Sequence, residues 1–563
     1  MDEVACGFRH PERTKKDGET RRLLCYGWRY QPRASSRSNN GFSTRFEESS
    51  NGFSVLKLRT YVVCGFRRPE WRNKDGKTHQ PLRYGWRNQP WASPSDLNGA
   101  AMASSILVPA VVLHLCRRKT ISRQRLPPGP RGWPVFGNMF DLGEMPHKTL
   151  MGLKRQYGSV VWLRLGSINT VVVLTAKAAA ELFKNHDVAF ADRTITEVMT
   201  AQSYEKGSLA LAPYGTYWRV MKRIMTVEML VTKRINETVP VRRKCADVLL
   251  TWIENETTAG GSSVAVARFV FLSLFNMLGN LILSRDLVDP ESRIGSEFFT
   301  AMMGLMEWGG HPNIVDVFPC LRWLDPQGLK RKMNRDLGNT YEIVSGFLKE
   351  RMKEREAEGA ESRKKDFLEV LLNFEGNGKD EPQTLSEHEL IIIIMEIFLA
   401  GSETTSSSIE WAMTELLLKP ETMANAKAVP FLVPRKAIHR HEFMGYHIPQ
   451  NTQLFINVYA IGRDPECWEN PSSFRPERFL SLKTEYKGHH FELIPFGAGR
   501  RICAGIPLAH RMLHLVLGSL LHSFDWGIDR DFDDDIRDTR ERMGVTVRKL
   551  KPLRAIARKS ELN

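Results

Sequence analysis

At 563 residues, 42% apolar and 26% charged, the chain has an ordinary globular composition and enough length to bury a large core, which excludes wholesale disorder. The formal net charge of +16 suggests nucleic acid until it is located: residues 1–101 hold 19 Lys and Arg against 10 Asp and Glu, leaving +7 for the rest. A balance that small argues for no nucleic-acid partner. Eight scattered cysteines without a CxxC pair argue against a zinc module and against a disulfide framework.

In chain order, residues 1–101 come first and contain a repeat. CGFRHPERTKKDGETRRLLCYGWRYQP from Cys6 returns as CGFRRPEWRNKDGKTHQPLRYGWRNQP from Cys64. Neither helical nor strand periodicity is present, so this is a basic low-complexity leader, expected to be disordered, and no function is assigned to it. Residues 102–125 read as a short membrane anchor. Ile106–Cys116 is apolar, Arg117, Arg118 and Lys119 follow at once, and LPPGPRGWP makes an elbow from Leu126. The apolar run is 11 residues, whereas a spanning helix needs about 20. The anchor is therefore short, with peripheral attachment as an alternative.

From Lys148 onward helical patterns dominate, broken by short β-like runs such as Thr170–Thr175. The expected fold is mainly α (α+β), one large helical domain over 126–563 with small sheets. SEHELIIIIMEIFLAGSETTSSSIEWAMTELLLKP opens with a capping box, Ser386 to Glu389, and reads as a single helix to about Lys419. Such a helix would span about 50 Å. Its middle holds Ala400, Gly401, Ser402, Glu403, Thr404 and Thr405. An acid and hydroxyls inside an apolar helix are costly unless they face water or a ligand. A hydroxyl there can also bond back to the preceding turn, leaving a groove.

The segment Pro495–Gly505, PFGAGRRICAG, ends in a cysteine where another helical run begins. Gly497 and Gly499 permit a tight loop. Helix N-terminal amides favour a thiolate at Cys503. Arg501 offers a planar fork for a carboxylate, and Phe496 an apolar lid beside the sulfur. A buried thiolate so placed suits haem iron.

This string matches Phe–x–x–Gly–x–Arg–x–Cys–x–Gly at Phe496, Gly499, Arg501, Cys503 and Gly505, and so resembles the cytochrome P-450 monooxygenases. The resemblance implies Cys503 as the metal ligand of haem b. Thr404 would position O2, Glu403 would help deliver protons, and Ala400 and Gly401 would leave room for O2. YGTYWRVMKR places Trp218 and Lys222, the latter where the family has Arg, against a haem propionate. Arg435 in PFLVPRKA is placed against the second. The resemblance covers Leu126 to about Leu553 and is similar in wording to the plant microsomal A-type group that includes geraniol hydroxylases and iridoid oxidases. It implies an oxidoreductase on the cytoplasmic face of the endoplasmic reticulum membrane. Such an enzyme draws electrons from NADPH through a reductase and hydroxylates a small lipophilic, terpenoid-like substrate with O2. Met199–Leu211 and Ile391–Leu399 would line the pocket.

The chain departs from that pattern after the long helix. ELLLKPETMANAKA runs directly into VPFLVPRKA at Val429, so an internal deletion near 428–429 is expected. No Glu–x–x–Arg lies between Glu415 and Pro434 to pair with Arg478 of the FRPERF motif (Phe474–Phe479). Stranding one member of a buried ion pair costs about 3–5 kcal/mol. Two alternatives follow: a catalytically impaired pseudoenzyme, or a haem-thiolate isomerase or dehydratase needing neither O2 nor reductase.

Overall fold

The computed structural model describes residues 125–560 except 259–262, 292, 358–365, 378–380, 419–430, 474, 476, 482 and 530–536. The leader, the anchor of 102–124 and the junction at 428–429 lie outside the described residues.

Helices form most of the described chain. Those used below are α1 (Pro146–Tyr157), α2 (Ala176–Asn185), α3 (Thr216–Ile224), α4 (Val239–Thr258), α5 (Val266–Leu283), α6 (Arg293–Gly310), α7 (Leu329–Ala357), α8 (Glu387–Leu418) and α9 (Ile506–Ser523). The capping box forms as expected. Glu389 accepts from the Ser386 amide at 2.8 Å and Ser386 Oγ accepts from the Glu389 amide at 3.3 Å. Those bonds satisfy donors that the helix cannot, which fixes where α8 begins.

The core forms around α8. It packs on α5, α7 and α9, and α5 brings an aromatic face to it: Phe275 lies 4.4 Å from both Phe298 and Phe398, centroid to centroid. Each such ring taken from water stabilises the fold by about 1.5–3 kcal/mol. α5 and α8 are long and apolar enough to cross a bilayer, yet both are mostly buried inside the protein. They are core helices.

The small sheets lie outside this bundle. β1 (Val160–Leu165) and β2 (Ile168–Val173) form a hairpin, so the Thr170–Thr175 run is indeed a strand with its last two residues turned into the cap of α2. β2 runs parallel to β5 (Gln453–Ile456), which carries β4 (Arg435–Lys436) and then β3 (Asp192–Arg193), both antiparallel. This sheet places Arg193 and Arg435 opposite one another. β6 (Glu541–Arg542) and β7 (Arg548–Lys549) pair beside α8.

One group of large apolar side chains remains exposed. Trp133 is 61%, Phe140 66% and Trp323 81% accessible, with Phe136 and Leu324 between them in exposure or below. Phe136 touches Phe140 and Phe318 at 5.3 and 5.6 Å, which joins the 133–140 and 318–324 stretches into one patch.

A candidate haem-thiolate site

The cysteine loop is built from its own backbone. Gly497 donates to Ile494 at 3.0 Å, Ile502 to Gly499 at 3.1 Å and Cys503 to Phe496 at 3.1 Å. Gly499 has φ +68°, and a Cβ there would lie 2.6 Å from Asp187 Oδ1, so both conformation and space require glycine. Gly505 caps α9, and the Gly505 and Ile506 amides aim at the sulfur. In the protein alone, burial pushes the Cys503 thiol up, while those two amides and the Lys222 ammonium pull it down. Cys503 is nonetheless exposed, and a positive centre placed against its sulfur would complete the shift toward thiolate.

Four cations converge on this loop. Arg501 stacks on Trp218 at 4.4 Å and donates to the Ala191 and Ala212 carbonyls at 2.9 and 2.7 Å. Lys222 on α3 donates to Ile502 O at 2.6 Å. Arg435 Nη1 meets Asp187 Oδ1 at 2.7 Å and its Nη2 reaches Ala498 O at 3.2 Å. Arg193 reaches the Ala210 and Val433 carbonyls. Burial lowers the pKa of each, and mutual repulsion lowers Arg193, Lys222 and Arg501 further, Arg501 to about 10. A buried cluster of one sign is relieved by an anionic ligand.

On α8, accessibility follows a stripe. Ala400 is exposed and Gly401, Thr404 and Ser408 are half-open, whereas Ser402, Glu403 and residues 405–407 are buried. The spacing is that of one helix face. Thr404 Oγ1 donates back to Ala400 O at 2.6 Å and Ser408 Oγ to Thr404 O at 2.7 Å, the back-bonding expected of hydroxyls there. Glu403 does not share that face. It accepts from Thr546 Oγ1 at 2.7 Å and pairs with Arg548 of β7. The neighbours Glu403 and Thr404 thus point different ways, and the structure does not bring the acid to the open stripe.

Arg478 also differs from expectation. It is not a stranded buried charge: it is half-exposed and donates to the Glu469, Asn470, Ser473 and Arg475 carbonyls of its own loop. The 3–5 kcal/mol penalty expected from sequence therefore does not apply, because water and carbonyls satisfy the guanidinium.

Three residues carry the site without a sequence motif. Asp187 and Arg193 flank the sequence VAFAD, which reads as ordinary strand and turn. Glu396, one turn before Ala400, is half-buried and accepts from Ser208 Oγ, Leu209 N and Ala210 N at 2.6–3.0 Å. An unusual acid inside the apolar run Ile391–Leu399 was the available signal. Of the stretch expected to line a pocket, Ile391–Met395 instead belongs to the core.

An open sulfur under helix-terminal amides, an open stripe of small and hydroxyl residues on α8, and a buried excess of cations fit a planar, dianionic, iron-bearing group. Fold and site together define a haem-thiolate class of protein. The cytochrome P450 family model matches residues 127–428 and 426–554. The chain is 51% identical to "Cytochrome P450 76A2" of Solanum melongena over 81% of this chain and 97% of that protein. It is 46% identical to "Iridoid oxidase" of Catharanthus roseus (82% and 98%) and 35% identical to "Geraniol 8-hydroxylase" of Swertia mussotii (77% and 94%). The chain belongs to the cytochrome P450 family, whose members are haem-iron monooxygenases that use O2, a lipophilic substrate and a redox partner. The match falls into two pieces that meet at 426–428. The 494-position alignment with the Solanum melongena protein takes in 81% of 563 residues, about 456, so about 38 positions of that alignment face no residue here.

Proposed function

We propose that the chain hydroxylates a small lipophilic, terpenoid-like substrate with O2 and electrons from NADPH, supplied by a membrane-bound reductase at the endoplasmic reticulum surface. The observation that carries this reading is the open Cys503 sulfur beneath two α9 amides, together with an accessible Ala400–Thr404 face. When bound, haem b supplies the oxidising chemistry, placing one oxygen atom in a C–H bond and releasing the other as water.

The protein's residues set the conditions. Cys503 would hold the metal through its thiolate, steadied by the Gly505 and Ile506 amides and by nearby Lys222. Lys222, Arg501, Arg193 and Arg435 would form the cationic rim for the two propionates, with Trp218 stacked under Arg501. Ala400 and Gly401 keep the α8 face shallow, and Thr404 can turn its hydroxyl from Ala400 O to orient O2. Glu403 Oε1 accepts from Thr546 and pairs with Arg548, and would serve as a relay only by turning from both. Glu396 clamps 208–210, which orders the loop expected to touch substrate. The exposed Trp133, Phe140 and Trp323 support membrane contact, since large exposed apolar side chains of this kind mark interaction surfaces.

The test is to supply the full chain with a plant reductase, NADPH, isotopically labelled O2 and a panel of monoterpenoid alcohols. Singly labelled, NADPH-dependent product is expected. Unlabelled product without NADPH would instead favour an isomerase or dehydratase. A second reading, an impaired pseudoenzyme, is favoured by the two-piece family match and the roughly 40 unfilled positions. Reading the transcript across codons 420–434 decides whether the short junction is real, and the haem-to-protein ratio decides whether it matters.

A further inference from the structure

Asp187, which joins Arg435 to the cysteine loop, has no part in the chemistry described above. Asp187 follows α2 directly and its side chain is 3% exposed, facing Arg435 at 2%. Oδ1 accepts from Arg435 Nη1 at 2.7 Å. Oδ2 accepts from the Arg500 amide at 2.7 Å and from Arg500 Nη1 at 3.3 Å. Arg435 closes the circuit by donating to Ala498 O at 3.2 Å, and its guanidinium carbon lies 5.0 Å over the Phe183 ring of α2. The circuit therefore grips Ala498 and Arg500 from both sides, and the carboxylate fills the space a Gly499 side chain would need.

We propose that Asp187 is the positioning residue of the Cys503 loop, fixing the Ala498–Arg500 turn through one carboxylate that binds Arg435 and the Arg500 amide at once. This rests on Cys503 being the haem ligand for its functional meaning, but its structural content does not. A fixed turn at 498–500 fixes the sulfur, because Gly499 O receives the Ile502 amide and Phe496 O the Cys503 amide. The same ring fixes the Arg435 guanidinium of the rim, whose Nη1 meets Asp187 and whose Nη2 meets Ala498 O. An unpaired buried guanidinium is costly, so the pair behaves as a unit.

The experiment uses the full chain with Asp187→Ala, Asp187→Asn and Asp187→Ala/Arg435→Leu. Two readouts are taken: the reduced carbon-monoxide difference spectrum, and the rate of Cys503 alkylation by iodoacetamide in haem-free protein, followed by peptide mass spectrometry. The Arg500 amide then loses its acceptor, so Asp187→Ala should speed alkylation by at least about fivefold. It should also convert the thiolate band to the thiol-type band. Asp187→Asn, which keeps an acceptor for the amide and loses the charge, should fall between. The double variant should regain thermal stability, as no buried charge is stranded, without regaining the thiolate band. If Asp187→Ala is unfolded, Asp187→Asn carries the comparison. Alkylation within about twofold of the parent, with an unchanged thiolate band, overturns the proposal. If the parent protein itself gives no thiolate band, the functional reading fails while alkylation still decides the role of Asp187.

Discussion

Two arginine-rich loops of the C-terminal half solve the same problem differently. In the cysteine loop, Arg501 and its neighbours Arg435 and Lys222 are largely buried, and they reach carbonyls from Ala191 to Ile502 and the Asp187 carboxylate. In the 469–481 stretch, Arg478 stays half-exposed on carbonyls of its own loop, with Trp468 6.0 Å beneath it. The first loop ties distant elements into one rim. The second is locally self-sufficient. A motif arginine is thus costly to lose only where the fold takes it out of water.

That contrast can be broken experimentally, and the largest effect should come from the buried side. Glu403→Leu strands Arg548 next to Met303 and should cost about 3–5 kcal/mol in urea unfolding. A loss under about 1 kcal/mol would mean that Arg548 simply turns outward.

Next is Glu410, whose carboxyl is raised to about 7, chiefly by burial, against the Leu553 amide and the Lys549 and Arg548 charges. With a folded pKa above the unfolded one, its stabilisation is full below about pH 4.5. It is lost as pH rises through about 7, because the unfolded chain ionises first. Glu410→Gln should therefore flatten this slope and gain up to about 3 kcal/mol at pH 8, read from thermal unfolding across pH. An unchanged slope would assign the pH dependence elsewhere.

A smaller effect is expected for Thr404→Val, which deletes a back-bond on the open stripe and should move stability by less than about 1 kcal/mol. In the loaded enzyme it should lower the fraction of NADPH that ends as product. Smallest is Arg478→Ala, expected within about 1 kcal/mol of the parent. A loss of several kcal/mol there would make the two loops equivalent and overturn the contrast.

What was legible in the sequence was local. The capping box located the start of α8, glycines and a terminal cysteine announced the loop at 495–505, and the Val171–Val173 run marked β2. Cys503, Trp218, Arg501 and Arg435 do come together. What was not legible depended on tertiary geometry. Asp187 reads as a plain acid until the sheet carries Arg435 beside it, and the direction of Glu403 is set by Thr546 and Arg548, some 143 and 145 residues away. Arg478 was expected to be buried on family grounds, and its exposure is a property of the loop around it. Helix faces and turns follow from spacing; which charge meets which follows from the fold.

The most direct test of the account is the reduced carbon-monoxide difference spectrum of the purified full chain beside its Cys503→Ser variant. The parent should show a red-shifted thiolate Soret band that the variant lacks. An identical band and identical iron content in both would contradict a thiolate at Cys503.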